Sequence, residues 1–216
     1  MLPLSLDFLV ISVVACAKAP DSYNLDRSKY SATERLEQTL ETIRSIRTYA
    51  PSSRILLIEG GYKFESLSKI EALVDEYYFI GNKRFVRLAV DSRHKTLGEL
   101  ALMILALIAL RRSNADLVLK ISGRYCINKN FILDGWDSNR FNFKLSDRNV
   151  SSRLYGFPRS KRLQLLLSLC WGCIGAARGK RMEQILHRSL FTHPRSYIST
   201  LGLEGKMGPT GKRVEE

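Results

Sequence analysis

A chain of 216 residues, 45% apolar and 25% charged, has the make-up of a soluble globular protein and is long enough to bury a full core as one domain. Its net charge of +13 calls for an anionic partner, but the basic residues are dispersed, and no long Lys/Arg tract or aromatic-and-basic motif favours nucleic acid. Four cysteines exclude a disulfide scaffold and fit a reducing, cytoplasmic location; Cys170 and Cys173 have CxxC spacing but no second ligand pair, and they sit in an apolar run that reads as core.

In chain order, Phe8 to Ala15 is a near-continuous apolar run and is predicted to be a strand covered on both faces. The stretch Val13 to Cys16 resembles a lipoprotein cleavage box. However, no Lys or Arg precedes the apolar run and Asp7 interrupts it, so a core strand is the better expectation. A polar loop follows to Tyr30. Ser31 and Glu34 make a capping box, and Leu36, Leu40, Ile43 and Ile46 form the buried stripe of a helix that Pro51 ends. Arg54 to Ile58 is a second strand closing on Glu59, Gly60 and Gly61. Ser66 to Val74 suits a short helix, and Tyr77 to Ile80 a third strand.

Lys83 to His94 reads as a loop, and Thr96 with Glu99 as a second capping box opening a helix to Arg112. Asp116 to Ile121 is the fourth strand. Phe141 to Leu145 alternates apolar and polar residues like a half-exposed strand. Arg159 to Leu190 reads as two helices broken near Gly179, and the tail from Gly202 as loop. The apolar runs Leu97 to Leu110 and Leu163 to Ala177 are too short to span a bilayer. The second lies between basic clusters and reads as a core helix, with a peripheral position on the inner face of an anionic membrane as the alternative.

The alternation of strand and helix predicts an α/β single domain, with a mostly parallel sheet flanked by helices. Residues 1–150 form its ligand-binding core, and residues 151–216 a helical C-terminal part and Gly-rich tail of the same domain. Ligands of such sheets bind beyond the carboxyl ends of the strands. Lys120, Ser122, Gly123, Arg124 and Tyr125 end the fourth strand there. Gly123 permits close backbone approach, Arg124 grips phosphate or carboxylate, Ser122 donates a hydrogen bond and Tyr125 offers a stacking face. The sequence contains no GxGxxG after the first strand, no GxxxxGK[ST], no GxSxG and no clustered metal ligands.

Three stretches carry a family resemblance: Arg27 to Ile46 followed by Ile55 to Gly60, Lys95 to Glu99, and Lys120 to Tyr125. The Gly-rich segment Gly202 to Gly211 adds to them. In these the chain resembles small GT-A-like proteins of the nucleotide-diphospho-sugar transferase superfamily. The resemblance implies a GT-A (Rossmann-like) fold and glycosyl transfer from a nucleotide-sugar donor to a surface-glycan or lipid-linked, lipopolysaccharide-type acceptor. It places the donor diphosphate at the end of the fourth strand, where many relatives carry a metal-binding Asp-x-Asp. Here Ser122, Gly123 and Arg124 stand instead, so a divalent metal is a doubtful cofactor and no residue is assigned to one. Arg124, Lys120 and Lys95 are expected to supply the positive charge, with Arg27 on the nucleotide phosphates and Glu59 on ribose or base. Asp147 and Glu204 are the candidates for a catalytic base. Two other readings stay open: a catalytically inactive GT-A-like binding module and a basic nucleic-acid-binding protein.

Overall fold

The first apolar run becomes the middle of a sheet because it has apolar partners on both faces. The protein was examined as a computed structural model, which describes residues 4–16, 30–146, 149–207 and 210–216. The first half contains β1 (Leu6–Ser12), α1 (Ala32–Tyr49), β2 (Arg54–Glu59), α2 (Ser68–Glu71), β3 (Glu76–Phe79), α3 (Arg84–Val90), α4 (Lys95–Ala109) and β4 (Leu117–Ser122). The second half adds β5 (Tyr125–Ile127), β6 (Phe141–Phe143), β7 (Leu145–Ser146), β8 (Asn149–Val150), β9 (Leu154–Pro158), α5 (Arg162–Ala177), α6 (Met182–Ser189), β10 (Arg195–Tyr197), β11 (Leu203–Lys206) and β12 (Arg213–Glu215).

The main sheet has seven strands in the order β10-β6-β9-β4-β1-β2-β3. β3, β2, β1 and β4 run parallel, β9 is antiparallel to β4 and β6, and β10 is parallel to β6. This is the expected mostly parallel α/β sheet. Successive strand side chains point to opposite faces. Leu9, Ile11, Leu56 and Ile58 therefore pack with α4, α5 and α6, whereas Phe8, Val10, Ile55 and Leu57 pack with α1. In register, Ile11 sits beside Ser122 and Ser12 beside Glu59. The carboxyl ends of β1, β2 and β4 thus finish level with one another, and this edge carries the site.

The Ser31–Glu34 capping box forms as expected, with Ser31 Oγ accepting from Glu34 N at 3.2 Å and Glu34 Oε2 accepting from Ser31 N at 2.8 Å. The helical break near Gly179 is also present, with Gly179 at φ +82°. Other expectations fail for identifiable reasons. Residues 83–94 hold α3 rather than only loop; Val86 alone is buried there, so the sequence carries almost no apolar period to announce a helix. The Thr96–Glu99 capping box does not form, because α4 starts at Lys95 and Glu99 turns to a buried lysine instead.

β6 is buried throughout rather than half exposed. Asn142 tolerates this because its amide donates to the Asp137 and Arg140 carbonyls and accepts from Asp137 N. The tail is not simply loop: β11 and β12 build a three-stranded sheet with β5, and Gly205 lies where a Cβ would come within 2.5 Å of the Arg124 carbonyl oxygen. Cys170 is exposed on α5 and not part of the core.

Candidate functional site

At the level edge of β1 and β4 lies an open pocket of about 120 Å³, whose lining includes Ser12, Cys16, Arg35, Lys95, Glu99, Ser122 and Arg124. Strand ends supply Ser12 and Ser122, and the turn after β4 supplies Arg124. The first turn of α1 supplies Arg35, and the first two turns of α4 supply Lys95 and Glu99. Each helix thus begins at the cleft, where its N-terminal amide dipoles add to the positive field.

Arg35 is only 7% exposed, and among the described residues no carboxylate forms an ion pair with it. Its Nη1 lies 3.1 Å from Cys16 Sγ, while its Nε is buried without a partner. Burial lowers the guanidinium's pKa below its ordinary value and the nearby Arg124 adds to the effect, against the opposing pull of Cys16 and Glu59. Arg124 likewise has a buried, unpartnered Nε. Lys95 is pushed down to about 8, first by burial and then by the charges of Arg124 and Arg35, against the pull of Glu99. Three cations thus face one cleft and repel one another. Such an arrangement is costly in the free protein and is relieved by an anion with several oxygens.

The carboxylate in this lining is already committed. Lys120, fully buried on β4, donates to Glu99 Oε1 at 2.6 Å, Ser122 Oγ at 2.9 Å and the Ser152 carbonyl at 2.7 Å. An ammonium has three N–H donors, so all of them are used. Burial raises the Glu99 pKa, but the charge and hydrogen bond of Lys120, helped by Lys95 and Arg124, bring it net below the usual value. Lys120 therefore sets the positions of Glu99 and Ser122, and Ser122 keeps its own O–H free to donate.

The remaining residues expected at the site have varied placements. Glu59 is fully buried; its Oε1 accepts from Val14 N at 2.9 Å and Gly61 N at 2.7 Å, tying the segment after β1 to the end of β2. Burial raises its pKa against those two bonds. Gly123 makes room for α1, since a Cβ there would sit 3.1 Å from Thr39 Oγ1. Thr39 Oγ1 is 3.0 Å from the Gly123 carbonyl oxygen and 3.1 Å from Ser12 Oγ. Tyr125 is turned into the core instead of the cleft, with the Arg153 guanidinium 5.7 Å from its ring centroid. Glu204 pairs with Arg213 at 3.1 Å on the small sheet and is not in the pocket lining. Arg27 and Asp147 lie outside the described residues.

Arg35 is the residue that sequence reasoning missed. Its signal was present: it stands on the face of α1 that also carries Thr39, Thr42 and Ile46, where an unpaired arginine has no packing reason to be. The described residues of the cleft do not fit a divalent cation. Their charge is positive, Glu99 is held by Lys120, and among the described residues no three His, Cys, Asp or Glu side chains cluster suitably.

No protein-family model and no curated protein sequence matches this chain. Solved structures do. A galactosyltransferase, LgtC, in complex with donor and acceptor sugar analogs aligns with a TM-score of 0.52 at 11% identity, over 88% of this chain and 72% of that one. A nucleoside-diphosphate-sugar pyrophosphorylase from Vibrio cholerae RC9 aligns with a TM-score of 0.48 at 13% identity, over 93% and 95%. A CMP:2-keto-3-deoxy-manno-octonic acid synthetase complexed with CTP aligns with a TM-score of 0.44 at 7% identity, over 95% and 94%. The fold is a GT-A-like, Rossmann-like α/β fold. That is the fold the sequence resemblance implied.

Proposed function

We propose that this protein transfers a sugar from a nucleotide-sugar donor to a surface-glycan or lipid-linked acceptor, and that it holds the donor diphosphate on protein cations without a metal ion. One observation carries the reading: Arg35, buried and with no ion-pair partner among the described residues, shares one cleft with Arg124 and Lys95. Positive charge fixed there stabilises the charge that builds on a departing nucleoside diphosphate. That a protein of similar fold was solved with donor and acceptor sugar analogs supports a sugar donor as the ligand class.

In the reaction, an acceptor oxygen attacks the anomeric carbon, the bond from that carbon to the diphosphate oxygen breaks, and the diphosphate leaves with its electron pair. Arg35, Arg124 and Lys95 receive it, with Ser122 donating to a phosphate oxygen. Lys120 is a positioning residue acting through Glu99 and Ser122. Arg27 is assigned to the nucleotide phosphates. Glu59 shapes the nucleotide side of the site by holding the segment after β1. If the transfer inverts configuration, the acceptor proton goes to a carboxylate. Asp147 is preferred for this role, because Glu204 is engaged with Arg213.

The test is a thermal-shift screen with UDP-, GDP-, CMP- and dTDP-sugars, each in EDTA or manganese, followed by assay of sugar transfer or donor hydrolysis. A donor at a hundredfold excess over its Kd stabilises the fold by about 2.7 kcal/mol. The expected result is a shift from one donor family that persists in EDTA and is lost in Arg124→Ala. No shift with any donor, in a folded protein, would overturn the reading. A shift without turnover would favour an inactive binding module, for which the replacement of Asp-x-Asp by Ser122, Gly123 and Arg124 is the supporting feature.

A further inference from the structure

α5 has two apolar faces where a surface helix needs one. Its inner face, with Leu165, Leu169, Gly172 and Ala176, packs into the core. Its outer face presents Leu163, Leu167, Trp171 and Ile174, exposed by 58%, 55%, 75% and 51%. Their spacing of four, four and three residues places them on one side of the helix. Cys170 is exposed as well. No charged residue occurs between Arg162 and Arg178, so four turns of helix carry an unbroken apolar stripe to solvent.

Both ends of the stripe are basic. Arg159, Lys161 and Arg162 precede it, and Arg178, Lys180 and Arg181 follow it, with no Asp or Glu from residue 159 to 182. The Arg159 Nη2 donates to the Arg111 carbonyl at 3.4 Å, which brings the adjacent pair Arg111 and Arg112 to the same end. Among the described residues none of these eight cations forms an ion pair. Cations at a helix N-terminus oppose the helix dipole, and Lys161 at the N-cap makes no side-chain capping bond. Arg162 does anchor the helix start, donating to the Leu107 carbonyl at 2.6 Å, but no side chain of the cluster caps α5 and its positive charge is unfavourable to the dipole. Positive side chains around an exposed helix start form an attractive site for phosphate groups.

We propose that the outer face of α5 is a docking surface for an anionic lipid bilayer. The helix lies in the interfacial plane, with Trp171, Leu163, Leu167 and Ile174 entering the acyl boundary and the two basic clusters meeting lipid phosphates. At about 1.5 Å per residue the 16-residue helix is roughly 24 Å long, and it lies flat, since no helix among the described residues is long and apolar enough to cross a membrane. A second copy of the chain fits this face less well, because stacking two such stripes brings basic clusters together. The inference stands on α5 alone and does not depend on the sugar-transfer reading, although it would bring the cleft to lipid-linked acceptors.

The experiment uses flotation with vesicles of phosphatidylcholine, with or without phosphatidylglycerol, and intrinsic tryptophan fluorescence. The chain has two tryptophans: Trp136 is buried, so a change in emission reports Trp171. The expected result is at least tenfold stronger binding to anionic vesicles than to neutral ones, with a blue shift of emission and loss of acrylamide quenching. Binding should weaken at high salt and be lost both in Trp171→Glu with Leu167→Glu and, separately, in Arg178→Glu with Arg181→Glu. All variants should keep the circular dichroism and melting temperature of the parent protein. Equal binding to both vesicle types, no binding, or a concentration-dependent dimer abolished by Trp171→Glu would overturn the proposal.

Discussion

Replacing Arg35 by Met tests the reading of the cleft most directly, because it should move stability and binding in opposite directions. The guanidinium is 7% exposed, lacks an ion-pair partner among the described residues, and has a buried Nε with nothing to donate to. Among the described residues its side chain makes one hydrogen bond, to Cys16 Sγ at 3.1 Å, and the Glu59 carboxylate attracts it at longer range. An unpaired buried ion costs several kcal/mol in desolvation, and Arg35 recovers little of that from Cys16. Methionine keeps most of the stem and removes the charge. Arg35→Met should therefore stabilise the free protein by about 1–3 kcal/mol in urea unfolding, with an unchanged m-value. It should also weaken binding of a nucleoside diphosphate by roughly 10- to 100-fold in isothermal titration, the loss of one charge-assisted contact. A destabilised variant that binds the diphosphate as well as the parent would refute the reasoning, since Arg35 would then be a structural residue.

Lys120→Met should act in the reverse sense. It strands Glu99 and should cost about 3–5 kcal/mol at neutral pH, while Lys120→Met with Glu99→Gln recovers a large part of that. Urea unfolding of both variants checks this, and a double variant no more stable than the single one would count against it. Because the Glu99 pKa is lowered, the stability it contributes is present above its unfolded value near 4.5 and is lost as pH falls below that. Lys95, at about 8 when folded against 10.5 unfolded, should make the free protein gain stability as pH rises from about 8 toward 10.5, an effect reduced by solvent screening because the residue, though crowded by the cleft walls, stays accessible to solvent. Diphosphate affinity should fall over the same rise, as Lys95 loses its proton, and Lys95→Met should flatten that dependence in titrations at successive pH values.

The sequence alone determined the layers of this protein. The expected runs Phe8 to Ala15 and Asp116 to Ile121 hold most of the inner strands β1 (Leu6–Ser12) and β4 (Leu117–Ser122), and the stripe Leu36, Leu40, Ile43 and Ile46 is the inner face of α1, because burial follows the apolar runs and the 3.6-residue period that the residues display. It also pointed to the edge where the parallel strands end, and Lys95, Ser122 and Arg124, picked out from the sequence, line the cleft found there.

Only tertiary structure decided what each polar residue meets. Lys120 looked like a ligand contact, but its three protons are used inside the protein. Glu99 looked like a cap, yet it balances that lysine. Glycines after β2 and β3 serve packing: a Cβ on Gly81 would come within 1.7 Å of the Gly61 carbonyl oxygen, and one on Gly60 within 2.2 Å of Leu102. Arg35 lies 87 residues before Ser122 in the chain, and α5 shows its second apolar face only once α4 and α6 have covered the first. Periodicity encodes which side of an element is buried. Pairing between distant residues is set by how the elements pack, and no local pattern carries it.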